Sequence, residues 1–433
     1  MQRLRITDAR VPLCLLDGGF ADVGEGLARV DIDIADGRIA ALHPAPAEMT
    51  PEDAGLPEGA GLCQEGGQVW PGLVDVHTHL DKGHIWPRAA NPDGSFAAAI
   101  EAVERDRSAH WSAADLSSRF EFGLRCAYAH GTVAIRTHLD CAKPLERTAW
   151  EVFAELRAAW QDRITLQAVS LATLEDLEDG FGEALADLVA SQGAVFGAVT
   201  YMHPAIDRQL DRLFALAGER SLDLDLHVDE SLDPGARSLR HIAEAALRHR
   251  FAGKILCGHC CSLAVLEPDE ALRTLDLVAQ AGIAVVSLPM CNLYLQDRAP
   301  GGTPRRRGVT LLHEMAARGI PVALASDNCR DPFYGYGDHD MLEVFREAVR
   351  IAHLDCPVGA WPRAVARTPA EVMGLADAGR IRVGAPADLV LFRGRHYSEL
   401  LARPERDRIV LRAGRPIDTT PPDHRELDQL FGH

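Results

Sequence analysis

Between Val74 and Asp327, short runs of branched and small apolar residues alternate with longer stretches whose apolar positions recur every three or four residues. The short runs are Leu73–His77, Thr132–Thr137, Thr165–Leu171, Ala194–Tyr201, Asp223–Val228, Lys254–His259, Ile283–Leu288 and Pro321–Ser326. Apolar runs of that length fit strands covered on both faces. The stretches between them include Glu146–Gln161, Arg208–Gly218, Leu239–Arg250, Asp269–Ala279 and Leu311–Arg318, with the spacing of amphipathic helices. Gly193, Gly218, Gly253, Gly282 and Gly319 stand where helices need a stop. Eight strand–helix alternations predict an α/β fold, a parallel (β/α)8 barrel.

The rhythm changes at both ends. Val30–Ile34 runs into Asp36-Gly37 and is followed by Arg38–Leu42; near the other end lie Ala387–Phe392 and Ile409–Leu411, the latter running into Ala413-Gly414. Strands punctuated by turns and drawn from both termini are expected to pair into one small sheet. The chain is therefore read as residues 1–70, a barrel over 71–379, and residues 380–433. Pro44–Gly67, rich in Pro, Gly and Glu, reads as an exposed loop. No internal repeat interrupts this plan.

Composition narrows the partners. The chain has 433 residues, 47% of them hydrophobic and 25% charged, which is ordinary for a folded protein and long enough for a barrel with an attachment. No run reaches the roughly 18 apolar residues of a membrane helix. The opening MQRLRITDARVPLCLLDGG turns polar early and lacks a small-residue cleavage site, so the cytoplasm is expected rather than export. Lys and Arg number 45 against 63 Asp and Glu, a formal net charge of −18. That field repels nucleic acid and anionic membrane, and Arg305-Arg306-Arg307 is too short a basic run to reverse it. A small neutral or cationic substrate fits better. The ten cysteines are irregularly spaced and are expected to stay reduced.

The chemistry gathers at the ends of the strands. His77-Thr78-His79-Leu80-Asp81-Lys82 closes the first run, and residues two apart on a strand point the same way. His77 and His79 can therefore offer two imidazoles to one ion of the zinc or iron kind. Alone, such a pair is weak. Three further strand ends strengthen it: His227 with Glu230 three residues on, His259, and Asp327. Ionisable groups on that rim of a barrel read as catalytic.

The ordered set His-x-His, His-x-x-Glu, His and Ser-Asp-Asn resembles the amidohydrolase superfamily, in its branch of deaminases with a single metal ion. More narrowly, the chain is similar to bacterial cytosine deaminases over nearly its whole length. Arg136–Asp140, His227–Glu230, Asn292–Arg298, Pro304–Val309 and Asp331–Phe333 match segments of that family. The resemblance implies a terminal β-sandwich beside the barrel. It implies one divalent metal, zinc or iron, on His77, His79, His227 and Asp327, with an open position for water. It also implies catalytic roles for three residues: Glu230 would protonate a ring nitrogen, His259 would orient the attacking oxygen, and His259 and Asp327 would take the water's proton. The implied reaction is hydroxide attack on an amidine carbon with release of ammonia. A lysine bridging two metals is not expected, because Ala194–Tyr201 holds no lysine and Lys82 lies just past the first strand.

The expected substrate shell departs from the family. Thr173 stands where cytosine deaminases carry a glutamine, Asn328 replaces the second aspartate of an Asp-Asp pair, and Phe333 replaces a tryptophan. With Gln296 and Asp331 these are the candidate substrate-binding residues. The changes favour a cytosine-like pyrimidine or related cyclic amidine, with an alkylamine-releasing triazine hydrolase as the alternative, since Ser326–Asp331 also resembles that group. Two rivals remain: a metal-binding barrel without activity, and a dithiol redox protein built on Cys257-Gly258-His259-Cys260. The dithiol lacks the helix and the small domain that chemistry needs. A cysteine-ligated nucleotide deaminase is disfavoured because no Pro-Cys-x-x-Cys follows a His-x-Glu. Self-association is an open expectation, homo-oligomers being common.

Overall fold

The computed structural model describes residues 3–46, 61–145 and 147–432. All eight expected runs form strands. They are Leu73–Thr78, Thr132–Asp140, Thr165–Leu171, Phe196–Thr200, Leu224–Val228, Ile255–His259, Ala284–Ser287 and Val322–Leu324. Every residue of the first, fifth, sixth, seventh and eighth is buried, as near-continuous apolar runs require. The result is a mixed α/β fold. Strands one to three form one sheet and strands four to eight a second, each in chain order. Neighbours in the second sheet are parallel: Leu224 sits beside Phe196 and Ile255, Leu256 beside Ala284, and Ser287 beside Leu324. Isolated parallel bridges join Val169 to Val195, Thr173 to Val199 and Thr78 to Asp327. Strands in step end on a common edge, and that edge receives His227, His259 and Asp327.

Helices Thr148–Trp160, Ile206–Glu219, Ser238–His249, Pro268–Gln280 and Leu312–Ala317 lie where the periodicity placed them. The structure adds Phe96–His110, Ala113–Ala129, Gly180–Ser191 and Pro289–Leu295 between strands. Gly193, Gly282 and Gly319 do end helices, at φ of 58°, 67° and 71°. Two expected stops are corrected. Gly218 lies inside Ile206–Glu219, and the left-handed cap after Ser238–His249 is Arg250, at φ 48°, rather than Gly253.

Contacts divide the chain into two compact units. One comprises the described residues of Met1–Asp75, with Arg125–Ala134 and Asp340–Pro421; the other comprises Val76–Leu124, Ile135–His339 and Pro422–His433 up to Gly432. In the first unit the terminal strands form two four-stranded sheets rather than the single one expected. One runs Arg38–Pro44, Leu27–Ala35, Arg3–Pro12, Gly61–Cys63; the other runs Arg415–Pro416, Ile409–Arg412, Leu389–Leu391, Val69–Pro71. Asp36 and Gly37, at φ 49° and 81°, make the tight turn that the Asp-Gly pair promised. Ile6, Val30, Ile32 and Val69 share one buried cluster with Leu389, Leu391 and Leu411. Of the expected loop Pro44–Gly67, residues 47–60 lie outside the described residues, as does Glu146 at the head of an expected helix. No helix among the described residues is long and apolar enough to cross a membrane, and the ten cysteines are unbridged.

Candidate active site

The second unit holds the whole site. Its first and eighth strands are stitched together at their ends: Asp327 N donates to His77 O at 2.9 Å, His79 N to Asp327 O at 3.2 Å, and Thr78 Oγ1 to Asp327 O at 2.8 Å. Gly258 on the sixth strand keeps room for His77, because a Cβ there would lie 3.0 Å from the ring's Cε1. Asp327 and His259 both sit at left-handed φ, 63° and 68°, a conformation that side chains other than glycine adopt at a cost of about 1 kcal/mol or more.

These constraints bring together the four side chains that the strand ends offered. His79 Nε2 lies 3.2 Å from His227 Nε2 and 3.3 Å from Asp327 Oδ1, and His77 Nε2 lies 3.6 Å from the same oxygen. Donors around a tetrahedral ion with bonds near 2.0 Å stand roughly 3.3 Å apart. Neither ring nitrogen of His77 has a hydrogen-bond partner, although the ring is fully buried. Burial first, and then the neighbouring imidazoles and cations, hold His77, His79 and His227 well below the usual histidine range. Neutral imidazoles beside a carboxylate suit a divalent cation. The donor set fits a metal.

A second cluster faces the first. His259 Nδ1 lies 3.0 Å from Asn292 Nδ2 and 3.3 Å from Glu230 Oε1, while Asn292 Nδ2 donates to Glu230 Oε1 at 3.2 Å. His259 Nε2 is buried and has no hydrogen-bond partner. Burial, with His138 nearby, pulls His259 down to about 3, so its ring is neutral at neutral pH. Burial and then the charge of Asp327 push the Glu230 carboxyl well above its usual range, against the pull of Lys82. His259 is thus a neutral hydrogen-bonding group, whereas Glu230 is disposed to hold a proton.

Both clusters open on a cavity of about 370 Å³, lined by His79, His227, Glu230, His259 and Asp327 among others. That volume lies in the range of small-molecule sites. Of the expected substrate residues, Thr173, Asn328 and Phe333 line it. Gln296 and Asp331 instead bond to residues that do: Gln296 Nε2 donates to Glu230 O at 3.2 Å, and Asn328 Nδ2 donates to Asp331 Oδ2 at 2.8 Å. Thr173 Oγ1 donates to Asp176 Oδ2 at 2.7 Å, presenting a hydroxyl and a carboxylate together. Lys82 is buried in the cavity wall, its Nζ 2.8 Å from Asp140 Oδ1.

Sequence reasoning passed over His138, Asn292 and the layer beneath them. A ring nitrogen of His138 lies within 4.8 Å of donor atoms of His77, His79 and His227. Its Nε2 is 3.4 Å from Asp225 Oδ1, whose other oxygen accepts from Arg136 at 2.9 Å. The redox dithiol has no support: Cys257 and Cys260 are buried and unbridged, and burial raises both thiols well above their usual value, the reverse of a reactive thiolate.

A model of the amidohydrolase family matches residues 123–418. A pterin deaminase of Rhizobium rhizogenes is 54% identical over 434 residues, covering 99% of this chain and 97% of its own. A 5-methylcytosine deaminase from Klebsiella pneumoniae, solved with 5-fluorocytosine, superposes with a TM-score of 0.81 at 23% identity, over 96% of this chain and 97% of that one. An N-isopropylammelide isopropylaminohydrolase from Burkholderia multivorans gives a TM-score of 0.74 at 25% identity, over 96% and 98%.

Proposed function

The chain belongs to the amidohydrolase family, and from that premise we propose that it is a metal-dependent hydrolytic deaminase of a pterin. One observation carries the chemistry: a four-donor cluster and the Glu230–His259–Asn292 group open on the same cavity. The ring is argued from the full-length relative that deaminates pterin, in place of the cytosine-like ring expected from the motifs. A cavity of about 370 Å³ has room for two fused rings. Thr173, shorter than the glutamine of cytosine deaminases, leaves space for the second.

On this reading the eight strands close into a barrel over residues 71–379, and residues 1–70 and 380–433 form a β-sandwich. His77, His79, His227 and Asp327 would hold one divalent ion, zinc or iron. When bound, such an ion supplies an ionised water near neutral pH. Asp327 would take up the proton that this water releases, and His259, whose Nδ1 accepts from Asn292, would orient the water through its Nε2–H. Glu230, protonated, donates to the ring nitrogen beside the amine-bearing carbon and makes that carbon electrophilic. Asn292 holds Glu230 and His259 in register. Collapse of the tetrahedral adduct returns a proton to the amine, which leaves as ammonia, and a carbonyl remains on the ring. Phe333 offers a face for the heterocycle, and Thr173, Asp176 and Asn328 offer polar edges. The substrate is a small cytoplasmic molecule, neither nucleic acid nor lipid.

A substrate panel tests this. Metal-loaded protein should release ammonia from pterin with kcat/KM at least tenfold above that for cytosine or 5-methylcytosine. An N-alkylated triazine belongs in the panel, given the likeness to an isopropylamine-releasing enzyme. Ammonia from cytosine but none from pterin would return the ring to a pyrimidine, and alkylamine release alone would favour the triazine reading.

A further inference from the structure

About the loop that leads away from Asp327, three more metal-ligating side chains meet. His84, Cys329 and His339 are 1%, 1% and 2% exposed, and one donor atom from each lies within 4.8 Å of the others. They come from two separate segments. Cys329 and His339 open and close one loop, which is held by Arg330 N donating to Tyr336 O at 2.9 Å and Asp331 N to Tyr334 O at 3.1 Å. His84 arrives from the segment after the first strand and is anchored by its own N donating to Cys329 O at 3.0 Å. Neither ring nitrogen of His84 has a hydrogen-bond partner. A buried imidazole with both nitrogens unanswered is destabilising unless something else binds it.

The surroundings leave room for these donors. Gly123, on the helix Ala113–Ala129, faces His339, and a Cβ there would stand 3.1 Å from His339 Nε2 and 2.9 Å from Leu80 Cδ2. Gly337, at φ 90°, passes close to the thiol, and a Cβ there would stand 3.6 Å from Cys329 Sγ. One sulfur and two imidazoles form a donor set suited to zinc, which prefers tetrahedral sites of this kind.

We propose that His84, Cys329 and His339 form a second metal site that binds one zinc ion, with water as fourth ligand. Side-chain shifts of about 1 Å bring the three donors to the roughly 3.5 Å spacing of a tetrahedral centre. Burial above all raises the Cys329 thiol, but a bound cation deprotonates a coordinating thiol, so Cys329 would ligate as thiolate and release its proton to solvent. The site ties the loop carrying Asn328, Asp331 and Phe333 to the segment after His79, so it fixes one wall of the cavity. The three ligands lie outside the lining of the catalytic cavity, and the site stands whether or not the ring is a pterin.

The test uses the full chain, stripped with a chelator and reloaded with cobalt(II). Two metal ions per chain are expected, with a thiolate-to-cobalt charge-transfer absorption, because the donor set of His77, His79, His227 and Asp327 contains no sulfur. Cys329→Ser should halve the metal content and abolish the absorption. Cys291→Ser, near Glu230 and Asp327, should leave the absorption in place. Where Cys329→Ser does not fold, His84→Gln and the stoichiometry of the unaltered protein decide. One ion per chain without the absorption overturns the proposal, as does an absorption that Cys329→Ser leaves unchanged. One ion per chain that carries the absorption supports this site and counts against the first.

Discussion

At the scale of single residues, Glu230 makes the sharpest claim. Burial and then Asp327 raise its carboxyl, and in the proposed reaction it is protonated and donates to the ring. Activity is therefore present below its pKa and falls as pH rises through it. Glu230→Gln should keep its metal, lose about 10²–10⁴ in kcat and lose that alkaline limb from the pH profile. Wild-type turnover in the variant, measured as ammonia release across pH, would remove Glu230 from proton transfer. Legibility was uneven at this scale. His77, His79, His227, His259 and Asp327 could be read because each stands at or just past the end of a short apolar run. His138 also stands just past a run, inside the matched segment Arg136–Asp140, but its place beside His77, His79 and His227 shows only in the structure. Asn292, on the short helix Pro289–Leu295, opens a segment that matches the family, but its role shows only once Glu230 and His259 are seen on either side of it.

Among elements, the strands were legible and some helices were not. Phe96–His110 buries Ala99, Ala102, Val103 and Asp106, small residues and one charge that write almost no hydrophobic period. The terminal sheets were half-read for a similar reason. The pairing of Val69–Pro71 with Leu389–Leu391 joins segments more than 300 residues apart, and nothing local announces it. The helix Met341–Ala352 illustrates how such pieces are held. Asp340, its cap, accepts from Leu342 N at 2.9 Å and pairs with Arg408 through bonds of 2.8 and 2.6 Å, both side chains largely buried. Burial works to raise the Asp340 carboxyl, but Arg408 and His130 outweigh it and hold the group below its usual range. That stabilisation is in force above the unfolded carboxylate's pKa and fades as pH falls through the lower folded value. Asp340→Asn should therefore cost about 3 kcal/mol of stability at pH 7, with the gap narrowing below about pH 4. Denaturant melts at the two pH values check this, and a gap that widens in acid would contradict it.

For the molecule as a whole, the fold serves to bring distant residues to one edge. His77 and Asp327 are separated by 250 positions, yet a bridge at Thr78 sets their strands side by side. The parallel order of the later strands brings His227 and His259 to the same rim. A formal net charge of −18 repels polyanions on the whole, in keeping with the small substrate proposed above. The family's chemistry could be read from the strand ends, whereas the ring could not, because Thr173, Asn328 and Phe333 mark a departure from the cytosine pattern without naming what replaces it. The most direct measurement is an anomalous-difference map from crystals of the native protein, collected at the absorption edge of its bound metal. Its expected result is a peak about 2.0–2.2 Å from Nε2 of His77, His79 and His227 and from a carboxylate oxygen of Asp327. Metal-loaded protein with no peak among those four side chains would contradict the account.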